Sequence, residues 1–201
     1  MLASAAPLAP PQTSSASVVV ITDVDGILRR ADIRTLAEAR PALDALAGSA
    51  LVLCSGRNAV ELRAIQRELG IRHPFIADGG AALHIPVGYF CVGADASAEV
   101  GSALDERYET IDFGVRRLGH AVRLVIALFR TCPVPPLVVG IGFEWRDRVL
   151  LREVDVPVVI RDAVLDQSAL LRNVPQAYLT DACGNDGLLE VVLGHGSVGR
   201  A

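Results

Sequence analysis

Lysine is absent from this chain of 201 residues, in which every one of the 19 basic residues is arginine. A lysine side chain is therefore excluded from any mechanism considered for the protein. The net charge of −4 arises without a block of basic residues, and no arginine stripe alternates with aromatic side chains. Because nucleic-acid surfaces rely on such clusters of positive charge, we expect no nucleic-acid partner.

Cysteine is also scarce, and long apolar segments are missing. The four cysteines, Cys54, Cys91, Cys132 and Cys183, form no C-x-x-C pair, so the sequence indicates neither a zinc site nor a disulfide framework. Residues 1–16 contain three prolines and no basic residue, which is not typical of a signal peptide, and we expect a disordered tail there. No later apolar run is long enough to span a bilayer. We therefore expect a cytoplasmic protein with no membrane partner.

Aromatic residues make up only 4% of the chain although 51% of it is hydrophobic, so Leu, Val, Ile and Ala must fill its core. A chain of this length can bury one substantial core, and we expect a single domain over residues 17–196. Short apolar runs alternate with segments of helical periodicity, which predicts an α/β fold with a doubly wound parallel sheet covered on both faces. The predicted strands are residues 17–22, 49–55, 135–142, 155–160 and 176–180, and the predicted helices lie around 36–46, 59–69 and 120–130.

Two carboxylates, Asp23 and Asp25, follow the first predicted strand in the stretch VVVITDVDGIL. Ligands of doubly wound sheets bind at the carboxyl ends of the strands, where these two acids would lie. A carboxylate held there can attack phosphorus and form an aspartyl-phosphate, and the second acid can protonate the leaving oxygen. A Mg²⁺ ion normally neutralises the charge between nucleophile and phosphate. The same D-x-D-G pattern also fits a plain turn that caps a helix.

A second polar turn, made of Ser55, Gly56 and Arg57, follows the second predicted strand. The Ser55 hydroxyl and the first amides of the next helix can bind phosphate oxygens. Alternatively, Asn58 is only the N-cap of that helix and Ser55 an ordinary turn residue. The two polar turns, in this order along the chain, resemble those of the haloacid dehalogenase (HAD) superfamily of phosphotransferases.

Longer stretches resemble one HAD family, the mannosyl-3-phosphoglycerate phosphatases. They are CSGRNAVELRAIQRELGIRHPFIADGGAALHIPVGYF, GIGFEWRDRVLLREVDVPVVI and VPQAYLTDACGNDGLLEVVL, and the matched segments span most of residues 17–194. The resemblance implies a three-layer Rossmann-like core and the Mg²⁺-dependent hydrolysis of a small phosphomonoester of the sugar phosphate class. It implies that Asp23 is the nucleophile and Asp25 the acid/base. The implied phosphate ligands are Ser55, Gly56 and Arg57.

The fourth motif of that family, which carries metal ligands, is altered in this chain. Its first Asp falls on Phe143 and its Asn on Arg146, so that only Asp147 remains. An apolar ring in place of an anionic ligand removes a metal–oxygen bond that octahedral Mg²⁺ needs, and the neighbouring Glu144 is a candidate to replace it. The predicted metal ligands are Asp23, Asp25, Asp147 and Glu144.

The third motif is altered as well, because its lysine falls on Leu118 at the start of a deeply apolar helix. Arg116 or Arg117 would have to replace it, although a planar guanidinium does not substitute freely for a compact ammonium group. These losses leave a second hypothesis open. On that hypothesis the protein is a catalytically impaired relative that binds a phosphorylated ligand or a protein partner.

Members of the family carry a cap domain that selects the sugar, whereas only residues 87–117 fill that interval here. The interval is too short for a core of its own, and we expect a hairpin there, with or without one short helix. The site is then either open or covered by a neighbouring subunit of a homo-oligomer. An alternative acidic metal motif, Asp181 with Asn185 and Asp186, follows the last predicted strand.

Overall fold

Eight strands form one sheet in the parts of the chain that the computed structural model describes, which are residues 18–25, 49–90, 108–115, 117–132 and 134–198. The strands are β1 Val18–Asp23, β2 Ala50–Cys54, β3 Phe75–Ala77, β4 Ala82–Pro86, β5 Tyr108–Asp112, β6 Leu137–Gly142, β7 Val156–Arg161 and β8 Tyr178–Cys183. Their order across the sheet is β5-β4-β3-β2-β1-β6-β7-β8. All neighbours from β3 to β8 in this order are parallel. The predicted doubly wound parallel sheet is confirmed.

The sequence did not predict the antiparallel edge formed by β3, β4 and β5. Strand β3 has only three residues, which is too short to give a periodic pattern. Strand β4 is buried throughout, so its residues do not alternate between apolar and polar. Strand β5, by contrast, is mostly exposed and reads YETID. It belongs to the 87–117 interval and extends the sheet beside β4.

Helices cover both faces of the sheet. They are α1 Ala59–Leu69, α2 Leu118–Phe129, α3 Arg148–Leu151, α4 Ser168–Asn173 and α5 Gly184–Val198, and a 3₁₀ turn spans Trp145–Asp147. Helix α1 has the predicted bounds because Asn58 and Glu61 form a capping box at its start. It ends at Gly70, which adopts a left-handed φ of 68° that other residues avoid.

The central strand β1 illustrates why the strands read as continuous apolar runs. Its Val20 packs on one face with α1 and α5, whereas Val19 and Ile21 pack on the other face with α2. Side chains along a strand alternate between faces, so a strand covered on both sides is apolar at every position. The sheet lies between these two cores. This arrangement leaves the strand ends as the place where polar side chains converge.

Several sequence predictions lie outside the described residues. These are the tail of residues 1–16, the helical pattern around 36–46, and residues 91–107 of the short interval in place of a cap. They stay predictions. Among the residues that are described, every helix is too short or too polar to cross a membrane.

Candidate active site

The carboxyl ends of β1 and β2 bring Asp23 beside the Ser55 turn. Asp23 is paired in register with Cys54, and Ser55 follows directly. Asp23 is half-buried and Ser55 is buried. The two polar turns singled out in the sequence are therefore neighbours at one edge of the sheet, which is where doubly wound folds bind ligands.

The backbone of the Ser55 turn is held in place by the strand on its other side. The Ser55 N–H donates to the carbonyl of Ile76, and the Gly79 N–H donates to the carbonyl of Ser55, at 3.0 and 2.9 Å. The Arg57 N–H donates to Ser55 Oγ at 3.0 Å. Space beside the Cα of Gly56 is open to 4 Å. The turn is thus a fixed loop with room for a ligand against its backbone.

The carboxylate of Asp25 contacts this turn through both of its oxygens. Ser55 Oγ donates to Oδ2 at 2.9 Å. Arg57 reaches Oδ1 through both Nε and Nη2, each at 2.6 Å. The hydrogen bond with Asp25 raises the pKa of Arg57 above its ordinary value. Arg57 Nη1 also lies 3.3 Å from Glu61, so the guanidinium group is held between two carboxylates.

Asp147 folds back against the end of β6. A methyl group on Gly142 would lie 2.5 Å from the Asp147 Cβ, so only glycine permits this approach. Asp147 Oδ2 accepts hydrogen bonds from the N–H groups of Phe143 and Glu144, at 2.7 and 3.0 Å. Burial nevertheless raises its pKa to about 6, because the loss of solvent outweighs these bonds.

Asp147 and Asp23 lie at the ends of adjacent strands. Thr22 pairs with Ile141, so the next residues, Asp23 and Gly142, are neighbours about 5 Å apart across the sheet. The thiol of Cys54, which is buried in the core on the α2 side of the sheet, is affected by the charges of both acids. Burial raises the pKa of Cys54 most, and the charges of Asp23 and Asp147 raise it further. Asp23 and Asp147, which the sequence analysis predicted as ligands of one metal ion, thus lie at neighbouring strand ends.

Phe143 and Glu144, which precede Asp147 in the altered fourth motif, face elsewhere. Phe143 packs against the core on the α1 and α5 side of the sheet, and its carbonyl accepts a hydrogen bond from Gln167 Nε2 at 2.7 Å. The Glu144 side chain is 40% exposed, and its Oε1 lies 3.6 Å from Arg146 Nε. Glu144 thus forms a surface ion pair, and its predicted role as a metal ligand stays a prediction.

A Mg²⁺ ion requires oxygen ligands, which at this site carboxylates would supply. Within the described ranges, no three His, Cys, Asp or Glu side chains are grouped as a metal would require. Mg²⁺ is, however, commonly held by one or two carboxylates, with water and substrate phosphate completing its six positions. The buried carboxylate of Asp147 next to Asp23 matches that reduced set. The residues fit a cation held by these two acids together with a phosphate.

Helix α2 begins at the position of the family's lysine. Its first residue, Leu118, packs on Gly80, where a methyl group would lie 2.4 Å from the Leu118 Cα. Gly80 also has a φ of 94°, so the turn between β3 and β4 requires glycine at this position. A pocket of about 500 Å³ opens beside this contact. Its lining residues are Gly79, Arg117, Leu118, Gly119, His120, Arg123 and Val149.

The alternative acidic motif lies apart from these groups. Strands β6 and β7 separate β8 from β1, which corresponds to about 14 Å across the sheet. Asp181 is exposed on β8, and its N–H donates to the carboxylate of Glu190. Asp181 is therefore not grouped with Asp23.

Known proteins resemble this chain in fold over nearly its whole length and in sequence over part of it. No protein-family model matches the chain. It is 35% identical, over 98 residues, to the glucosyl-3-phosphoglycerate/mannosyl-3-phosphoglycerate phosphatase of Methanococcoides burtonii, which covers 48% of this chain and 34% of that protein. The phosphatase of the same name from Persephonella marina is 38% identical over 74 residues, or 36% and 28% of the two chains. The matches thus span about a third of these relatives' length.

Solved structures match over nearly the whole chain but at low identity. The sucrose-phosphatase of Synechocystis, solved with sucrose and phosphate, has a TM-score of 0.58 at 13% identity and covers 89% of this chain and 97% of that one. The cobalt-bound deoxy-D-mannose-octulosonate 8-phosphate phosphatase of Haemophilus influenzae has a TM-score of 0.51 at 15% identity, covering 88% and 86%. The chain has the HAD fold, and over the matched segments its sequence is similar to the glucosyl-3-phosphoglycerate/mannosyl-3-phosphoglycerate phosphatases.

Proposed function

We propose that the protein is a HAD-type phosphohydrolase that removes phosphate from a small phosphorylated sugar derivative. The observation that carries this proposal is the convergence of Asp23, Asp147 and the Ser55 turn at the ends of three adjacent strands. The names of the two sequence relatives support the substrate class. The scattered cysteines support a cytoplasmic setting.

In the proposed reaction, a carboxylate oxygen of Asp23 attacks phosphorus and forms an aspartyl-phosphate. The bond between phosphorus and the ester oxygen breaks, and the leaving oxygen takes a proton from the Asp25 carboxyl group, which recovers a proton from the attacking water in the next step. Water then attacks the aspartyl-phosphate and releases inorganic phosphate, which restores the carboxylate. Ser55, Gly56 and Arg57 hold the phosphate oxygens through hydroxyl, backbone and guanidinium donors.

A Mg²⁺ ion belongs to this proposal, with Asp23 and Asp147 as its protein ligands. When bound, such an ion neutralises charge between a carboxylate nucleophile and a phosphate. Asp25 and Glu144 complete the predicted ligand set, although Asp25 contacts Ser55 and Arg57, and Glu144 contacts Arg146, in this structure. We propose that a neighbouring subunit of a homo-oligomer covers the site, because residues 87–117 are too few for a cap.

A second candidate function rests on Phe143 and Leu118, which stand where the family has a metal ligand and a lysine. A protein that has lost both groups can retain the phosphate-binding loop while losing turnover. It would then act as a module that binds a phosphorylated ligand or a protein partner.

Phosphate release from small phosphomonoesters in the presence of Mg²⁺ separates the two functions. We expect wild-type protein to release phosphate and Asp23→Asn to lower the rate at least about a thousandfold, since the nucleophile is lost. Asp181→Asn, which changes an exposed acid on β8, serves as the matched control and is expected to keep the wild-type rate. Binding of a phosphate ester without turnover would instead favour the module.

A further inference from the structure

The Ser55 turn already holds an anion in this structure, and that anion belongs to the protein itself. Asp25 Oδ2 accepts from the Ser55 hydroxyl at 2.9 Å. Asp25 Oδ1 accepts from Arg57 Nε and lies at 2.6 Å from Nη2. A carboxylate with both oxygens engaged in this way imitates two oxygens of a phosphate group.

The donors that hold Asp25 are the donors proposed for substrate phosphate. An arginine fork and a hydroxyl bind carboxylate and phosphate oxygens with the same geometry. The Ser55 hydroxyl has one proton to donate, and in this structure it donates that proton to Asp25. Asp25 and a phosphate group cannot both use it. The two anions therefore compete for one loop.

We infer that Asp25 is an internal ligand of the Ser55 turn, and that an arriving phosphate group displaces the Asp25 carboxylate from Ser55 and Arg57. This inference rests on the proposed function, since the arriving group is the phosphate of the substrate. Phosphate binding and the release of Asp25 are then a single event. The released Asp25 carboxylate can then take a proton from water and pass it to the leaving oxygen, which it cannot do while it accepts from Ser55 and Arg57.

The surroundings favour movement of Asp25 over movement of the loop. Asp25 is 46% exposed and Arg57 31% exposed, and exposed ion pairs of this kind are weak. The backbone of Ser55, in contrast, is hydrogen-bonded on both sides to residues at the end of β3 and in the turn after it. Glu61 contacts the opposite side of the guanidinium group at 3.3 Å. Arg57 therefore keeps one carboxylate partner when Asp25 leaves.

Competition of this kind lowers the affinity for phosphate. The apparent dissociation constant equals the intrinsic one divided by the fraction of molecules whose loop is free. Removing the Asp25 carboxylate should thus tighten binding of inorganic phosphate, although Asp25 is itself a proposed catalytic group. Activity and phosphate affinity would move in opposite directions.

The test uses the full chain, inorganic phosphate as the probe, and two measurements. Calorimetry gives the dissociation constant for wild type, Asp25→Ala, Asp25→Asn and Glu61→Gln. We expect Asp25→Ala to bind phosphate about tenfold or more tightly than wild type. Glu61→Gln is the matched control, because it removes one negative charge from the same arginine while glutamine preserves the capping box of α1. The dissociation constant of Glu61→Gln for phosphate should stay within about threefold of the wild-type value.

The second measurement follows the Arg57 Nε–H resonance by NMR, assigned by its loss in Arg57→Lys. We expect the resonance of wild type to shift on addition of phosphate, as its acceptor changes from carboxylate to phosphate. If Asp25→Ala binds inorganic phosphate and wild type does not, that result would also support the inference.

Three results would overturn the inference. If phosphate binds without moving the Nε–H resonance and Asp25→Ala binds no more tightly, Asp25 is not displaced, and the phosphate-binding role of the loop stands. If Glu61→Gln tightens binding as much as Asp25→Asn, general charge accounts for the effect. If neither wild type nor Asp25→Ala binds phosphate, the loop is not a phosphate site, and the proposed function fails with the inference.

Discussion

Asp147 is a carboxylate that the fold buries with only backbone donors as hydrogen-bond partners among the described residues. Its pKa rises from 3.8 to about 6, so the folded protein binds a proton there more tightly than the unfolded chain does. The stabilisation from this proton is complete below about pH 3.8 and is lost as the pH rises through about 6. At neutral pH the charged form therefore costs stability, which is typical of a group retained for binding.

We expect Asp147→Asn to raise the free energy of unfolding at neutral pH by on the order of 1 to 3 kcal/mol. Asparagine keeps an acceptor oxygen for the N–H groups of Phe143 and Glu144 but carries no charge to desolvate. Urea unfolding between about pH 4 and 8 checks this. The difference in the free energy of unfolding between variant and wild type should be small near pH 4, grow as the pH rises to about 6, and stay constant above that. A variant less stable than wild type at neutral pH would contradict it.

At the scale of elements, the start of α2 is positioned by a turn rather than by a cap. The N-cap residue Arg117 makes no side-chain hydrogen bond to the helix. Its N–H donates instead to the carbonyl of Gly80 at 3.2 Å, and the backbone of Leu118 lies against the same glycine. Because Gly79 of this turn also bonds to Ser55, one turn links the phosphate-binding loop to α2.

Replacing Gly80 by alanine should disturb both elements. The new methyl group would lie 2.4 Å from the Leu118 backbone, at a φ of 94° that alanine disfavours. We expect a loss of about 1 to 3 kcal/mol in the free energy of unfolding. Gly56→Ala, where a methyl group meets nothing within 4 Å, is the control and should change stability by less than about 0.5 kcal/mol. If urea unfolding shows that Gly80→Ala and Gly56→Ala lower the free energy of unfolding equally, the close contact at Gly80 does not constrain the turn.

At the scale of the whole molecule, Asp23 and Asp147 are joined to the rest of the fold through the two central strands. Strand β1 lies between β2 and β6 in the middle of the sheet, and its residues are buried on both faces. A ligand that binds these strand ends in the folded state alone must therefore stabilise the entire domain, because the acids separate when the sheet unfolds.

Mg²⁺ should raise the unfolding temperature of wild type relative to protein in a chelator. Free Mg²⁺ at ten times its dissociation constant would add about 1.4 kcal/mol to the free energy of unfolding. We expect this increment to disappear in Asp147→Asn and to persist in the distant Asp181→Asn variant. A thermal scan that shows equal shifts in all three proteins would indicate a general salt effect and contradict a site at Asp23 and Asp147.

The sequence alone determined the parallel part of the sheet and the identity of its polar turns. Continuous apolar runs separated by helical periodicity predicted the parallel sheet, because burial on both faces leaves a distinctive pattern. Asn58, which the sequence offered as an N-cap, does cap the start of α1. Asp23 and Ser55 were recognised because each follows directly after a predicted strand. Each of these signals is local, so it can be recognised within about ten consecutive residues.

Tertiary structure decided which of these residues meet. Arg57 and Asp25 are 32 positions apart in the chain, and nothing in either turn indicates that they form an ion pair. Asp147 folds against the end of β6, next to β1, only because Gly142 leaves space for its side chain. The short strand β3 and the polar, mostly exposed strand β5 depend on neighbouring strands for their pairing. Long-range contacts follow from strand order and close packing, and neither leaves a periodic trace in the sequence.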